Sequence, residues 1–349
     1  MEYATVLEVT RGEVVESVHH GAAAVSDSSG TLVAWCGDPG VVTLLRSSAK
    51  PLQALMLIES GAQTQFNLSA KHLAIICASH DGTDEHVEVV ESLLDRIGLQ
   101  EKDLHCGVHP PFDRETARRL RLEGQELSPL RNNCSGKHAG MLASALMLQE
   151  PIADYEQPEH VVQKHIRGII AEMSGLEAAE IKIGVDGCTV PTFGVSLYAA
   201  STAFAHLVDP RGFSSGRTQA CESVVGAMTT YPHLVAGSNR FDTRVMRATE
   251  GRVVSKSGAE GFQAIGIRPG CLGQDSPGLG VAIKIADGDY ARRARSLVSL
   301  TVLRMLNVLT PAAYTELVQD TAVVRNNSGQ IVGELRPKVH LMQGVLQNS

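Results

Sequence analysis

Aromatic residues are scarce in this sequence: they make up 4% of 349 residues, with a single tryptophan. A surface that stacks nucleic-acid bases needs several such rings, so base stacking is not expected here. Basic blocks are missing too. The net charge is −7, and no uninterrupted run of lysine and arginine supplies the footprint of a nucleic-acid partner. No stretch of about 18 apolar residues occurs, so neither a spanning helix nor a membrane partner is expected. The richest candidate, SLVSLTVLRMLNVL, is interrupted by Arg304 and reads as a core helix. The opening MEYATVLEVT has an early acid and no apolar run, so a secretory leader is not expected. No Cys-x-x-Cys pair exists. The seven cysteines are an odd number, scattered along the chain. That pattern points to reduced thiols and a cytoplasmic location. Internal repeats and low-complexity tracts are lacking, as is the strand–helix alternation of a doubly wound sheet.

What is present is an ordinary globular composition, 43% hydrophobic and 20% charged. The first 45 residues alternate polar and apolar, as in TLVAWCGD, and predict a strand meander. From Ser47 the period changes to that of helices. SSAKPLQALMLIESG predicts a helix with serine near its cap, Pro51 in its first turn and Gly61 past its end. TDEHVEVVESLLDRIG has Thr83 as cap and Gly98 as stop. TFGVSLYAASTAFAHL is expected to be helical throughout, and EIKIGVDGC to be a strand ending in a tight turn. Strands return in GRVVSKSGAEGFQAIGI, GLGVAIKIADGD and TAVVRNNSGQIVGELRP. The expected class is α+β: an antiparallel sheet formed from both chain termini, with a helical subdomain. Strands fall in about 1–45 and 250–340 and helices in about 46–250, within one domain spanning 1–349.

Several short motifs carry chemistry. In RSSAKP, Ser47 and Lys50 are three apart and can meet on a helix; Ser48 and Lys50 are two apart and cannot. A lysine that is desolvated, or near a positive neighbour such as Arg46, can act as the base a serine needs. The alternative is a capped helix with a surface lysine. Lys256-Ser257-Gly258 ends a predicted strand, the context in which Lys-Ser/Thr-Gly follows an early Ser-x-x-Lys in serine acyltransferases. Ser79, in CASHDG, is placed to be the intermediate proton-shuttling serine of such a set, although Ser-x-Asn is replaced by Ser79-His80-Asp81. In NNCSGKHAGM, Cys134, Lys137 and His138 share one helix face. A phosphate-loop reading of Gly136-Lys137 fails because the earlier glycine is absent. VDGCTVP adds Asp186 and Cys188 at a strand-end turn. Two distant thiolates with nitrogen or oxygen ligands suit zinc, although a lone buried cysteine is more often a small apolar residue. His19 and His20 alternate on a strand, with surface placement the default.

Taken together and in order, RSSAKP, CASHDG, NNCSGKHAGM, VDGCTVPTFG and KSGAEG resemble the asparaginase II family, the class 3 or rhizobial-type L-asparaginases. The likeness runs over nearly the whole chain. It implies a serine-β-lactamase-like fold related to glutaminases and penicillin-binding proteins. It also implies two Ser–Lys pairs, Ser47 with Lys50 and Ser79 with Lys256. A zinc site of Cys134, Lys137 and Cys188 is implied, with Arg46, His138 and Asp186 around a bound substrate. A lysine ligand must be deprotonated, which costs free energy at neutral pH. Such a metal need not be the Lewis acid; it can instead position its neighbours. The expected reaction is hydrolysis of L-asparagine to L-aspartate and ammonia by a homodimer. A glutaminase or other amidohydrolase on the same fold is the alternative, and a non-catalytic zinc-dependent binding protein is the other.

Overall fold

The computed structural model describes residues 2–319 and 321–344. The chain divides into two compact units. Of the described residues, one unit comprises 2–48, 195–209, 244–319 and 321–344; the other comprises 49–194 and 210–243.

The first unit is built on a nine-stranded antiparallel sheet. The long strand Val14–Asp27 organises it. Its first half pairs with Ala4–Arg11 and its second half with both Leu32–Cys36 and Leu279–Ile285. The sheet continues through Phe262–Ile267 to Val253–Gly258 on one side. On the other, Ile331–Pro337 adds to Ala4–Arg11. The sheet therefore joins both ends of the chain, as the polar–apolar alternation implies. Phe262–Ile267 and Leu279–Ile285 are buried along their whole length. Their runs are apolar rather than alternating because both faces are covered. The helix Leu197–Val208 packs on both strands, and Ala294–Met305 packs on Leu279–Ile285. Glycine permits the first of these contacts. A Cβ on Gly280 would stand 1.8 Å from the Ser201 carbonyl oxygen.

Two expectations are corrected here. Pro191–Ser196 is a strand, not the start of a helix; Ser196 then caps Leu197–Val208 by accepting the amide of Ala199. A β-branched and aromatic hexamer favours the extended form, and the serine cap marks where the period changes. His19 is buried, with Nδ1 2.6 Å from the Asp287 carboxylate, while His20 is exposed. Strand alternation holds, but the inward ring is retained by a charged partner rather than turned to solvent.

The second unit is helical. Lys50–Glu59 lies at its centre, buried from Lys50 to Leu57, which explains why its sequence is apolar nearly all round. Pro51 stands in its first turn, where a missing N–H costs nothing. Ala70–Ile76, Ser135–Met147, Val161–Ser174 and Ser215–Thr230 pack on it. Asp84–Ile97 begins at Thr83 with His86 completing the cap, and stops at Gly98 in the left-handed region. The hairpin of Lys182–Val185 with residues 191–194 supplies the only strand pairing among the described residues of this unit. No described helix is long and apolar enough to cross a membrane.

Candidate active site

In the first unit, Arg46–Ala49 begins as a 3₁₀ turn. Arg46 has φ of 50°, a left-handed backbone that is costly for a residue with a Cβ. The two serines that follow differ. Ser48 is fully buried and donates its hydroxyl to the Leu45 carbonyl at 2.7 Å. Ser47 is partly exposed. The strand Val253–Gly258 runs beside this turn, since a Cβ on Gly258 would come within 2.6 Å of the Leu45 carbonyl oxygen. Lys256 is two residues away and so projects from the same strand face. It is fully buried and donates to the Ser257 carbonyl at 2.9 Å.

In the second unit, Lys50 opens its helix with a buried side chain. Its nitrogen donates to the carbonyls of Ala78 at 2.5 Å and Asn133 at 3.0 Å, and lies 3.0 Å from Ser79 Oγ. Carbonyls only accept, so they fix two of the lysine hydrogens. The third direction meets a hydroxyl that accepts from an ammonium or donates to a neutral amine. Lys50 and Ser79 are therefore hydrogen-bonded to each other. The partners are themselves held: the Ser79 amide donates to Val235 at 2.9 Å, and the Asn133 amide donates to His109 Nε2 at 3.2 Å. The sequence motif carries no sign of Asn133, because its contribution is a backbone carbonyl.

Close helix packing brings the third segment to the same place. A Cβ on Gly136 would stand 2.2 Å from the Ile75 carbonyl oxygen, and one on Gly140 2.8 Å from the Ile76 side chain. These two glycines, one turn apart, let Ser135–Met147 lie against Ala70–Ile76. The result sets Cys134 and Lys137 near the end of the helix that leads to Ser79. His80, fully buried, bonds Ser135 Oγ through Nε2 at 2.9 Å and ties the two segments again.

Cys134, Lys137 and Cys188 come together. Lys137 Nζ is 2.9 Å from Cys188 Sγ. The hydrogen bond from Cys188 holds the Cys134 thiol well below its ordinary range despite burial, with Lys50 and Lys137 adding to the effect. The same bond, with burial, pushes Cys188 up. One thiolate is thus shared across the pair. Burial opposes the Lys137 ammonium, yet the two sulfurs and Asp186 hold its pKa above the usual lysine value. Asp186 is partly exposed in a tight turn, its amide bonded to the Val190 carbonyl at 2.9 Å. No group of three or more histidine, cysteine or acidic side chains forms a metal cluster among the described residues. Two converging thiols and an amine fit a soft divalent ion such as zinc once Lys137 gives up its proton.

His138 is fully buried, and burial first, then Lys137 and Lys50, keep it neutral. Nδ1 is 2.7 Å from the Tyr155 hydroxyl, which also accepts the His105 amide at 2.8 Å. A bond from the ring to the Cys188 backbone pulls the other way without overcoming burial. Tyr155 was not singled out by its sequence context, DYEQPEH. The one available signal is a lone tyrosine in a loop otherwise polar.

Comparison with protein families makes the chain an amidohydrolase. It belongs to the L-asparaginase II family, whose model matches residues 7–337. No curated protein sequence matches it. Among solved structures it is similar to a Bacillus subtilis glutaminase in covalent complex with 5-oxo-L-norleucine, at 12% identity and a TM-score of 0.38, covering 82% of this chain and 87% of that one. A Bacillus glutaminase gives 13% identity and a TM-score of 0.38, over 82% of this chain and 91% of that one. Mglu in its native form with salt gives 14% and 0.41, over 83% of this chain and 62% of that one.

Proposed function

We propose that this protein hydrolyses the side-chain amide of L-asparagine, giving L-aspartate and ammonia, with Ser47 as nucleophile. The observation that carries the reading is the bonding of Lys50: two carbonyls and one serine hydroxyl around a buried nitrogen. A structural lysine needs acceptors, but it does not need a hydroxyl able to return a proton. Ser47 is preferred over Ser48 because Ser48 is buried and its hydroxyl is already donated.

Ser47 Oγ attacks the amide carbon and loses its proton to a neutral lysine. Lys50, three residues along the chain, and Lys256, on the strand beside the Leu45 turn, are the two available bases. Collapse of the tetrahedral adduct breaks the C–N bond, and ammonia leaves with a proton relayed through Ser79 and Lys50. Water then attacks the acyl ester by the same groups in reverse, releasing aspartate and restoring Ser47. A free amino acid presents opposite charges, which Asp186 and Arg46 would complement, with His138 as a third substrate contact. Cys134, Lys137 and Cys188 would hold zinc, whose chemistry there is to fix the charge and position of its ligands. A homodimer in the cytoplasm accompanies this reading. No disulfide joins any of the seven cysteines, which suits a reducing compartment.

The test is ammonia release from asparagine and from glutamine, each with and without added zinc. Turnover of asparagine that disappears in Ser47→Ala is expected. Release from glutamine alone would replace the reading by a glutaminase, and no release from either amide would remove the hydrolase.

A further inference from the structure

The helix Arg114–Leu122 of the second unit borders a groove of about 570 Å³ that the chemistry above does not use. That volume lies within the range of about 300–1,000 Å³ typical of small-molecule sites. Arg114, Arg118 and Arg121 line it. At spacings of four and three they share one helix face and span about 10 Å. All three are exposed, and none has a carboxylate partner among the described residues. Their neighbours differ: Arg119 is paired with Asp84 and Glu123, and Arg131 with Asp84.

Helix stability does not explain this row. Cations in a last turn complement the helix dipole, which accounts for Arg121. Arg114 stands in the first turn, where the dipole disfavours a cation. On a chain of net charge −7, three unpaired guanidinium groups on one face form a local positive site in a field that otherwise repels anions. Apart from Gln125 the rest of the lining is apolar, with Pro110, Pro111, Leu120 and Leu127 beside the arginines. Guanidinium forks match phosphate and carboxylate oxygens. Three of them over about 10 Å match a chain of phosphates better than one carboxylate, and the proline and leucine wall suits a flat apolar body.

We propose that this groove binds a phosphorylated nucleoside, its phosphates on Arg114, Arg118 and Arg121 and its base against the proline–leucine wall. Calorimetric titration of the full chain at low ionic strength with ADP, pyrophosphate and adenosine tests it. ADP is expected to bind with Kd below about 1 mM, pyrophosphate more weakly, and adenosine not detectably. Replacing all three arginines by alanine is expected to weaken ADP by about tenfold or more. The three side chains are exposed, so the thermal midpoint should not move; should the triple variant fail to fold, Arg118→Glu gives the same reading. Failure of ADP to bind, binding undiminished by the arginine replacements, or pyrophosphate binding as tightly as ADP would each overturn the proposal.

Discussion

Replacing His86 with glutamine separates two roles that one ring combines. His86 occupies the third position of the Asp84–Ile97 helix, and its Nδ1 accepts the backbone amide of Thr83 at 3.3 Å. Nε2 must then carry the proton, and it reaches the His233 carbonyl at 3.1 Å. A second proton would destroy the acceptor that caps the helix. The surroundings oppose it as well. Burial comes first in lowering the pKa of His86; the His233 carbonyl, Asp81 and Glu85 pull the other way without overcoming it. The ring also stacks on His80 with centroids 5.0 Å apart, and His80 is itself held well below its ordinary range by burial, with His86, Lys50 and His109 adding to the effect.

The sign follows from the direction of the shift. The unfolded chain protonates His86 below about pH 6.5 while the folded chain resists, so the unfolded state binds more protons and stability falls as pH falls. One unit below that point the loss from a single fully resistant histidine reaches about 1.4 kcal/mol. Glutamine at this helix position can accept the same amide but does not titrate. His86→Gln should therefore cost about 1 kcal/mol at pH 7.5, for the lost His233 bond. Between pH 7.5 and 5.5 it should lose about 1 kcal/mol less than the parent protein. Urea denaturation at both pH values and constant ionic strength measures the difference. An unchanged pH slope in the variant would refute the argument, because it would mean that His86 gains no proton on unfolding.

Other outcomes follow from the same structure. Ser47→Ala should lower asparagine turnover by about a thousandfold or more with the fold intact, whereas Ser48→Ala should cost about 1 kcal/mol of stability for its buried hydroxyl and leave most turnover; the reverse order in kinetics would move the nucleophile to Ser48. Gly136→Ala should destabilise by about 3 kcal/mol or more, since its methyl meets backbone rather than a movable side chain; a thermal midpoint within a degree or two of the parent would show that the two helices part easily. Cys188→Ser should lower zinc content, measured by elemental analysis, and raise KM more than it lowers kcat; equal zinc in both proteins would remove Cys188 as a ligand. Asp84→Asn should cost less than about 1 kcal/mol at pH 7, because the Asp84 carboxylate, whose pKa the Arg131 and Arg119 bonds lower, is itself 57% exposed. That difference should vanish as acid titrates the folded carboxyl, and a cost that persists at low pH would rule out the ion pair.

Much of this was legible in the chain because it rests on short-range rules. The Thr83 start and Gly98 stop follow from capping, and the strands of the first 45 residues from alternation. The choice of Ser47 over Ser48 rests on helix spacing, but Arg46–Ala49 is a 3₁₀ turn and the α-helix begins only at Lys50, with Ala49 rather than a serine at its cap; the burial and hydrogen bond of Ser48 are a separate observation. What could not be read depends on distant backbone. Lys50 meets the carbonyls of Ala78 and Asn133, and carbonyls carry no residue identity. The strand Pro191–Ser196 was hidden because its apolar run continues directly into a helix of the same character, and periodicity does not separate short apolar runs. The inward turn of His19 needed Asp287, which lies far along the sequence.

The glycines of NNCSGKHAGM show why a motif can be specific without its central residues touching substrate. A phosphate loop would use glycine to bare its amides to a ligand. Here Gly136 and Gly140 instead bare the helix to the backbone of Ala70–Ile76. That approach does two things at once. It sets the Asn133 carbonyl at 3.0 Å from Lys50, and it carries Lys137 to within 2.9 Å of Cys188. The Lys50–Ser79 pair and the Cys–Lys–Cys cluster therefore share one support, and a methyl added at Gly136 must disturb both. Loss of zinc and loss of turnover should accordingly appear together in Gly136→Ala but separately in Cys188→Ser and Ser47→Ala. Zinc content and ammonia release measured on the same three preparations distinguish a shared scaffold from two independent sites.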